Sequence, residues 1–438
     1  MDERMAYPKF PDLRSLEERL QEFARLKSEY GADAGRIGRA LGTAEAALRG
    51  AIQEIVDLPE DAASAAREPD GLEEIRALRP VAGRRLWNSF DREKYADRLA
   101  GAFLGRMAGC TLGAPVEFWT PESMQGWAEF IGDPYPPRDY WSSIRNPDVL
   151  RYGVSRCRDY TRAGLDGVPV DDDTTYTILG LLIAEESGLN FTTRDAGRAW
   201  VRYLPYACTA EEVALKNLNA GVDAMRTAEL DNPYVQWIGA DIRGDPWGYL
   251  APGLPEKAAG MAYRDAWLSH RRNGIYGEML VSAALAAAFH LDDPVEAVRY
   301  GLNEIPADCM LARDVRWALE RGRTVHDHAE ASRVVVERFG DMSGVHTDNN
   351  LCLTVFGLMI GGDDFTRCIG ETVAMGFDND CTAATVGSLF GAAKGLSAIP
   401  MHWHEPFRNR ILTYLRGQES LFIDDVLGRF ASLAENSF

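Results

Sequence analysis

The sequence is short of cysteine, of positive charge and of long apolar runs. Its seven cysteines are scattered over 438 residues, and no two of them form a CxxC pair. Such spacing fits reduced thiols better than a disulfide framework. No apolar run reaches membrane-spanning length, and the first residues lack the apolar segment of a signal peptide. We therefore expect a cytoplasmic protein that has no contact with a membrane.

Lysine and arginine together number 47 against 66 aspartates and glutamates, which gives a net charge of −19. This excess of acid disfavours binding to nucleic acid and to anionic lipid surfaces. The net charge does not exclude a small anionic substrate, because a bound metal can reverse the local field. The hydrophobic content of 46% is that of a soluble globular protein.

Apolar residues recur at helical spacing through most of the chain, and no sustained alternation predicts a set of strands. The sequence therefore predicts an all-α protein. Residues 1–94 are interpreted as a helical N-terminal extension and a linker, because prolines and charges interrupt the pattern after residue 57. Long apolar helices follow in a main domain at 95–417, the last of them predicted at 405–417, before a C-terminal helix or tail at 418–438.

The stretch 118–170 is the exception, since it is rich in proline and tryptophan and has little periodicity. An ordered loop of this length is usually functional. Two interpretations stay open. The stretch is either a surface excursion with its own aromatic core or a gate that runs from Glu117 to the first acidic cluster.

Two acidic clusters lie about two hundred residues apart, each just before a helical stretch. Asp171, Asp172 and Asp173 occur in Val-Pro-Val-Asp-Asp-Asp-Thr-Thr, and Asp378 and Asp380 occur in Gly-Phe-Asp-Asn-Asp-Cys-Thr-Ala-Ala. Carboxylates that share an interior site repel one another unless a cation compensates them. Oxygen ligands suit magnesium, manganese or calcium rather than zinc. The clusters therefore predict a hard-metal site.

Glycines recur every fourth residue in two places, at Gly101, Gly105, Gly109 and Gly113 and at Gly387, Gly391 and Gly395. On a helix each set forms a smooth stripe that allows another backbone to approach closely. Both stripes lie beside the candidate chemistry. We expect two central helices that press together and hold the acidic clusters in register.

Three motifs resemble those of a known family. The run Gly101-Ala-Phe-Leu-Gly105-Arg-Met-Ala-Gly109-Cys-Thr-Leu-Gly113-Ala-Pro-Val-Glu117, the triplet Asp172-Asp173-Thr174 and the segment Asp378-Asn-Asp380-Cys-Thr-Ala-Ala-Thr-Val-Gly387 resemble signatures of the ADP-ribosylglycohydrolases, the group that includes dinitrogenase reductase-activating glycohydrolase. The resemblance spans roughly 95–417, and the motifs follow the family's order. It implies a compact, orthogonal multi-helix domain that binds two divalent cations, magnesium or manganese, in a central cleft.

By position, the resemblance implies that Asp171, Asp172, Asp173, Asp378 and Asp380 hold the metals. It implies a catalytic role for Glu117, on a mobile loop, and for Asp172. His270, Asn273, Gly274 and Tyr276 resemble a segment that lines the ribose and diphosphate, and Arg243 resembles a phosphate contact more loosely. The plainer alternatives are a satisfied polar group for His270, helix capping for Arg243 and packing for Tyr276.

Three positions depart from the family's pattern. Asp171 stands where a hydroxyl usually binds metal, Cys381 stands where a threonine is common, and Cys110 replaces an aspartate. A thiol is a poor partner for magnesium. These departures leave open the number of metals, the substrate and the retention of activity.

The resemblance implies a metal-dependent hydrolase that cleaves the N- or O-glycosidic bond of an ADP-ribosylated protein or a related ribosylated small molecule. Glu117 or Asp172 would take the proton of the attacking water. Two alternatives stay open, namely a binding or regulatory protein that retains the fold and a metal-dependent phosphohydrolase. The oligomeric state cannot be read from the sequence.

Overall fold

Helices make up most of the computed structural model, which describes Tyr7 and residues 9–438. The α-helices are α1 (Leu13–Glu29), α2 (Ala34–Val56), α3 (Ala62–Arg67), α4 (Leu72–Leu78), α5 (Arg92–Gly113), α6 (Pro121–Ile131), α7 (Asp172–Ser187), α8 (Thr193–Tyr203), α9 (Thr209–Asn219), α10 (Asp245–Leu250), α11 (Pro255–Ala266), α12 (Asn273–Ala288), α13 (Pro294–Gly301), α14 (Met310–Arg321), α15 (His328–Phe339), α16 (Thr347–Gly361), α17 (Phe365–Ala374), α18 (Asn379–Lys394) and α19 (Ile423–Ala434). The strands in this range form two short antiparallel hairpins, β1 (Leu150–Arg151) with β2 (Ser155–Arg156) and β3 (Arg410–Leu412) with β4 (Ser420–Phe422). The predicted all-α class is confirmed.

The described chain divides into two units, and the boundary lies between Ala66 and Arg67. Residues 1–6 and residue 8 of the predicted extension lie outside the described part. In the smaller unit, aspartate side chains cap both long helices at their N-termini. Asp12 accepts a hydrogen bond from the Ser15 amide over 3.1 Å, and Asp33 accepts one from the Arg36 amide over 2.7 Å. These caps satisfy amide donors that the first helical turn leaves free.

The residues that follow Arg67 belong to the larger unit, although the sequence interpretation places a linker there. Ile75 of α4 is fully buried, and Trp87 is buried against the backbone of Gly253. Arg79 forms ion pairs with Glu304, which is completely buried, and with Glu256 at 2.8 Å. Glu304 is buried and therefore requires a cation, which Arg79 supplies. This ion pair and the buried apolar side chains attach the stretch to the larger unit.

The two glycine stripes face each other, as the sequence predicts. A Cβ atom added to Gly105 of α5 would lie 2.3 Å from the carbonyl oxygen of Gly387 in α18. One added to Gly113 would lie 2.5 Å from the Cα atom of Asp380. Only glycine permits this backbone-to-backbone distance. The end of α5 is therefore fixed against the start of α18, where the second acidic cluster lies.

By length and composition alone, the stretch Arg92–Val116 is apolar enough to cross a membrane, which the sequence interpretation does not anticipate. In the fold, 83% of its apolar window is buried. A core helix wrapped by other helices has the same composition as a membrane span. Its burial accounts for the apolar character of α5.

The stretch 118–170 is anchored to the body and also carries a hairpin. Tyr140 donates its hydroxyl to the Trp403 carbonyl over 2.6 Å, and Trp141 donates its indole N–H to the Leu112 carbonyl over 3.1 Å. Both rings are buried. The hairpin of β1 and β2 reaches the acidic clusters. The stretch thus combines the aromatic core of one interpretation with the position beside the site that the other requires.

The predicted helix at 405–417 is wrong. Only a 3-10 turn forms at its start, and Arg408 and Asn409 then adopt φ angles of 46° and 58°. Two consecutive left-handed residues cannot continue a right-handed helix. The chain turns and forms β3 instead, and Val168 bridges to Ile411.

Candidate functional site

Three parts of the chain bring carboxylates to one place. Glu117 follows α5 and the 3-10 turn Ala114–Val116, the cluster of Asp171, Asp172 and Asp173 opens α7, and the cluster of Asp378 and Asp380 opens α18. Ligand atoms lie within 4.8 Å of one another in three sets, which are Glu117, Asp378 and Asp380; Asp173, Asp380 and Cys381; and Cys110, Asp171 and Asp173. The distant acidic clusters therefore converge.

The carboxylates of the second cluster are buried without full compensation. Asp378 and Asp380 are 4% and 2% exposed, and the Oδ1 atom of each has no hydrogen-bond partner among the described residues. Burial raises the pKa of both carboxyls well above the usual value. Together with Glu117 they offer an oxygen-only donor set. This set fits a hard divalent cation, which would satisfy the buried oxygens.

A buried arginine of α5 supports the first cluster from within. Arg106 places Nη2 at 3.1 Å from Asp173 Oδ1 and Nη1 at 2.7 Å from Asp245 Oδ2. Burial raises the pKa of Asp173 to about 7, while Arg106 acts in the opposite direction. Arg106 therefore holds Asp173 in place and supplies a positive charge below the site.

A second guanidinium enters the cluster from the side of the hairpin. Nη2 of Arg151 lies 3.0 Å from Glu117 Oε2, 3.0 Å from Asp171 Oδ2 and 3.6 Å from Asp380 Oδ2. Sequence reasoning missed this residue. Arg151 lies within the stretch 118–170, which one of the two interpretations describes as a gate. No local sequence pattern distinguishes this arginine from the others in that stretch.

Tyr152, next to Arg151, contacts the remaining aspartate. Its hydroxyl donates to Asp172 Oδ1 over 2.7 Å, and its backbone adopts a φ of 51°. Its ring stacks on Tyr414 with centroids 5.4 Å apart, and Tyr414 packs on Tyr206 at 4.9 Å. The hairpin thus places a cation and an aromatic wall beside the acidic clusters.

Glu117 is the most accessible carboxylate of the oxygen-only set, with a quarter of its side chain exposed. Burial, followed by the charge of Asp380, raises its pKa to about 8, and Arg151 opposes the shift. The next residue, Phe118, has a φ of 60° and donates its amide to the Phe377 carbonyl over 3.1 Å. This contact ties the Glu117 loop to the chain just before Asp378.

A cavity of about 210 Å³ opens above Glu117, Asp172 and Asp378. Its other lining residues are Phe118, Tyr152, Tyr176, Cys208, Thr209, Glu211, Trp237, Ile238, Gly239, Ile242, Val345 and Cys381. Phe118 also lines a more apolar groove of about 570 Å³ on its other side. The first cavity is smaller than typical ligand pockets, which measure roughly 300–1,000 Å³, so a larger molecule would extend beyond it.

Cys381 acts as a hydrogen-bond donor in this arrangement. Its Sγ atom lies 3.1 Å from Asp173 Oδ2. Burial raises the pKa of the thiol well above its usual value, so the proton stays on sulfur. Burial acts in the same direction on Cys110. Protonated thiols are poor ligands for a hard cation, so the two donor sets that contain cysteine suit a divalent ion less well.

Arg243 and His270, predicted to contact substrate, are deeply buried. Arg243 forms ion pairs with Glu211, with Asp265 at 2.6 Å and with Glu278 at 3.4 Å. His270 shares a hydrogen bond of 2.8 Å between its Nδ1 atom and the Ser269 hydroxyl, and burial lowers its pKa well below the usual value. Neither residue is among those that line the cavity above Glu117.

Asn273, Gly274 and Tyr276 contact another part of the chain. Asn273 Nδ2 donates to Glu68 Oε2 over 3.1 Å, and the Tyr276 hydroxyl donates to the Pro69 carbonyl over 2.5 Å. A Cβ atom on Gly274 would lie 2.3 Å from the Val235 carbonyl oxygen. The segment after Arg67 thus forms hydrogen bonds with the side chains that the sequence interpretation assigns to the substrate. Asn273, Gly274 and Tyr276 do not line the cavity above Glu117.

Comparisons with known proteins agree with this architecture. A sequence model of the family described as ADP-ribosylglycohydrolase matches residues 91–434. No curated protein sequence matches this chain significantly. A solved structure described as an ADP-ribosylglycohydrolase-related protein complex superposes with a TM-score of 0.50 at 20% identity, over 79% of this chain and 99% of that one. At this identity, the likeness shows the fold alone.

Proposed function

The chain belongs to the ADP-ribosylglycohydrolase family, and on this premise we propose that it is a metal-dependent hydrolase of the glycosidic bond to an ADP-ribosyl group. Its substrate would be an ADP-ribosylated protein or a related ribosylated small molecule. The single observation that carries the proposal is the oxygen-only set of Glu117, Asp378 and Asp380, whose ligand atoms lie within 4.8 Å of one another beside a cavity.

The donor set supports a magnesium or manganese ion, since both prefer carboxylate oxygens. Glu117, Asp378 and Asp380 would hold it. When bound, the cation supplies Lewis acidity and a template that orients the hydroxyls of a sugar. The resemblance predicts two such ions, and Asp171, Asp172 and Asp173 are the further candidate ligands.

The size of the cavity supports a sugar rather than a whole dinucleotide-like group. About 210 Å³ admits a pentose, and the wall of Tyr152 would exclude bulk water from it. The larger apolar groove beyond Phe118 gives room for a second part of the substrate. We propose that the bond to be cleaved lies near Phe118, between these two spaces.

Cleavage of a glycosidic bond to ribose develops positive charge on the sugar and requires an activated water. Glu117 is the preferred base, because it is the exposed member of the oxygen-only set and lines the cavity. It would accept the proton of the attacking water at its carboxylate. Asp172 is the other candidate, and the hydroxyl of Tyr152 would keep its carboxylate oriented.

One observation favours a second candidate function. Arg151 contacts Glu117 and Asp171 at 3.0 Å each, so a guanidinium already neutralises the proposed base. A protein that binds an ADP-ribosyl ligand without hydrolysing it would tolerate this pairing. Membership of the family favours hydrolysis, whereas the ion pair between Arg151 and Glu117 favours binding without hydrolysis. Analysis of the reaction products distinguishes these two functions.

The test is to incubate the purified protein and Mg²⁺ or Mn²⁺ with peptides ADP-ribosylated on arginine or on serine and to identify products by mass spectrometry. Release of free ADP-ribose, abolished by EDTA and by D378N, supports the proposal. Retained activity in D363N, an exposed aspartate paired with Lys394, is the matched control. AMP with ribose phosphate would instead indicate a phosphohydrolase. Saturable binding of ADP-ribose without product would indicate a binding protein.

A further inference from the structure

Positive charge is unevenly distributed within the acidic cluster. Arg151 Nη2 contacts Asp171 Oδ2 and Glu117 Oε2 at 3.0 Å, and Arg106 contacts Asp173 from below at 3.1 Å. Asp378 Oδ1 and Asp380 Oδ1 have no partner in the described part of the chain. Asp171 and Asp173 therefore have a protein cation within 3.1 Å, whereas Asp378 and Asp380 each keep one oxygen atom without a partner, and Arg151 reaches Asp380 Oδ2 only at 3.6 Å.

The two candidate ligand sets that include Asp173 also include a softer sulfur donor. One contains Cys110 and the other contains Cys381, and the Cys381 thiol donates its hydrogen to Asp173 over 3.1 Å. A thiol that keeps its proton is a poor ligand for a divalent cation, because the thiolate is the form that binds metal. The third set offers oxygen atoms only, from Glu117, Asp378 and Asp380.

Asp171 explains why a guanidinium fits there. It is completely buried, and it stands where the sequence resemblance expects a neutral hydroxyl. A carboxylate at this position adds a negative charge that must be compensated in the interior. Arg151 is held above it by the hairpin, with its guanidinium carbon 5.6 Å from the centre of the Tyr160 ring. The extra acid and the arginine therefore form a pair.

We propose that the Arg151 guanidinium takes the place of one of two divalent cations, so that the cluster binds a single ion between Glu117, Asp378 and Asp380. Asp171 is then the acceptor of an internal cation and not a metal ligand. The inference rests on the proposed metal dependence, but it does not require hydrolysis. A protein without activity that still binds one ion would contradict the proposed function and leave this inference intact.

Metal stoichiometry tests it directly. Mn²⁺ titration by calorimetry, with metal analysis of the dialysed protein, is expected to give one ion per chain for the wild type. R151Q removes the internal cation and frees the carboxylate oxygens of Asp171 and Asp380 that Arg151 contacts, so a second ion can bind to oxygen without the thiols and two ions per chain are expected. R156Q is the matched control, because Arg156 lies on the same hairpin, pairs with the exposed Asp148 and stays outside the cluster. It should bind one ion.

Any wild-type stoichiometry other than one overturns the proposal. A folded R151Q protein that still binds a single ion also overturns the proposal. If R151Q does not fold, R151M replaces it, because methionine keeps an apolar stem against Tyr160 while removing the charge. Two ions in either folded variant, against one in the wild type and in R156Q, support the proposal.

Discussion

A Cβ atom on Gly109 would lie 2.0 Å from the carbonyl oxygen of Ala383. The two residues are on α5 and α18, and their backbones touch without an intervening side chain. Ala383 comes three residues after Asp380. The distance between the helices therefore sets where the second acidic cluster lies relative to Glu117.

G109A should lower the free energy of unfolding. A methyl group at 2.0 Å from a backbone oxygen forces the helices apart, and overpacking of this kind typically costs about 1–3 kcal/mol. Urea unfolding followed by circular dichroism measures the effect. G126A is the control, since a Cβ atom there meets nothing in the described structure within 4 Å. Alanine in that exposed helix should stabilise by about 0.5–1 kcal/mol. Equal stability of G109A and wild type would contradict the packing argument.

E117Q should reduce turnover while the protein stays folded. Proton transfer by a positioned side chain contributes about 10²–10⁴-fold, so a loss of this size in kcat is expected. The release of ADP-ribose and the melting temperature are the two measurements. E129Q changes an exposed glutamate of α6 and should leave both unchanged. Wild-type turnover in E117Q would remove Glu117 from the mechanism.

The substitution N273A tests whether Asn273 binds the substrate, as the sequence interpretation has it, or stabilises the fold. Its side chain donates to Glu68 and Gln236 and accepts from the Leu311 amide over 3.1 Å. Loss of these buried hydrogen bonds should cost about 1–3 kcal/mol of stability, with KM unchanged. N219A, at the exposed end of α9, should change neither quantity. A raised KM with normal stability would instead favour the substrate role.

Asp348 should make stability depend on pH. Both of its carboxylate oxygens are buried without a hydrogen-bond partner in the part of the chain that the structure describes. Burial, and then the charges of Asp314 and Glu68, raise its pKa well above the usual value. The folded state therefore retains a proton that the unfolded chain loses near pH 3.9. Its contribution to stability is complete below that pH and is lost as the pH rises toward the folded pKa.

The variant D348N has no proton to lose at this position. Its free energy of unfolding relative to the wild type should therefore increase as the pH rises from 4 toward the raised pKa of Asp348 in chemical denaturation. D363N serves as the control, because the carboxylate of Asp363 is exposed and its pKa is lowered by Lys394. A constant difference between D348N and wild type across this range would refute the assignment.

The sequence predicts the parts of the fold that depend on local spacing. Helical periodicity gives the all-α class, and the four-residue glycine repeats give the contact between α5 and α18. The acidic clusters could be recognised because consecutive aspartates before an apolar helix are unusual. Both the glycine repeat and the adjacent carboxylates can be read directly from the sequence, so these patterns are informative without the tertiary structure.

Long-range partners could not be predicted in the same way. Asn273 and Glu68 are 205 positions apart, and nothing near either residue indicates that they meet. Arg151 is one of many arginines, and only the path of its hairpin brings it to Asp171. The predicted helix at 405–417 failed because Arg408 and Asn409 adopt left-handed angles, which tertiary contacts select and side-chain type does not specify.

The match to the family begins at residue 91, but the body of this protein begins earlier. A chain shortened to that point would lose Arg79 and Arg84, the two arginines that pair with Glu304, together with the buried side chains of Ile75 and Trp87. Glu304 would then have no counter-ion, and the apolar surface on which Ile75 and Trp87 pack would face water. Trimming this protein to its recognisable portion would therefore give a fragment that is prone to unfold, whatever the condition of its metal site.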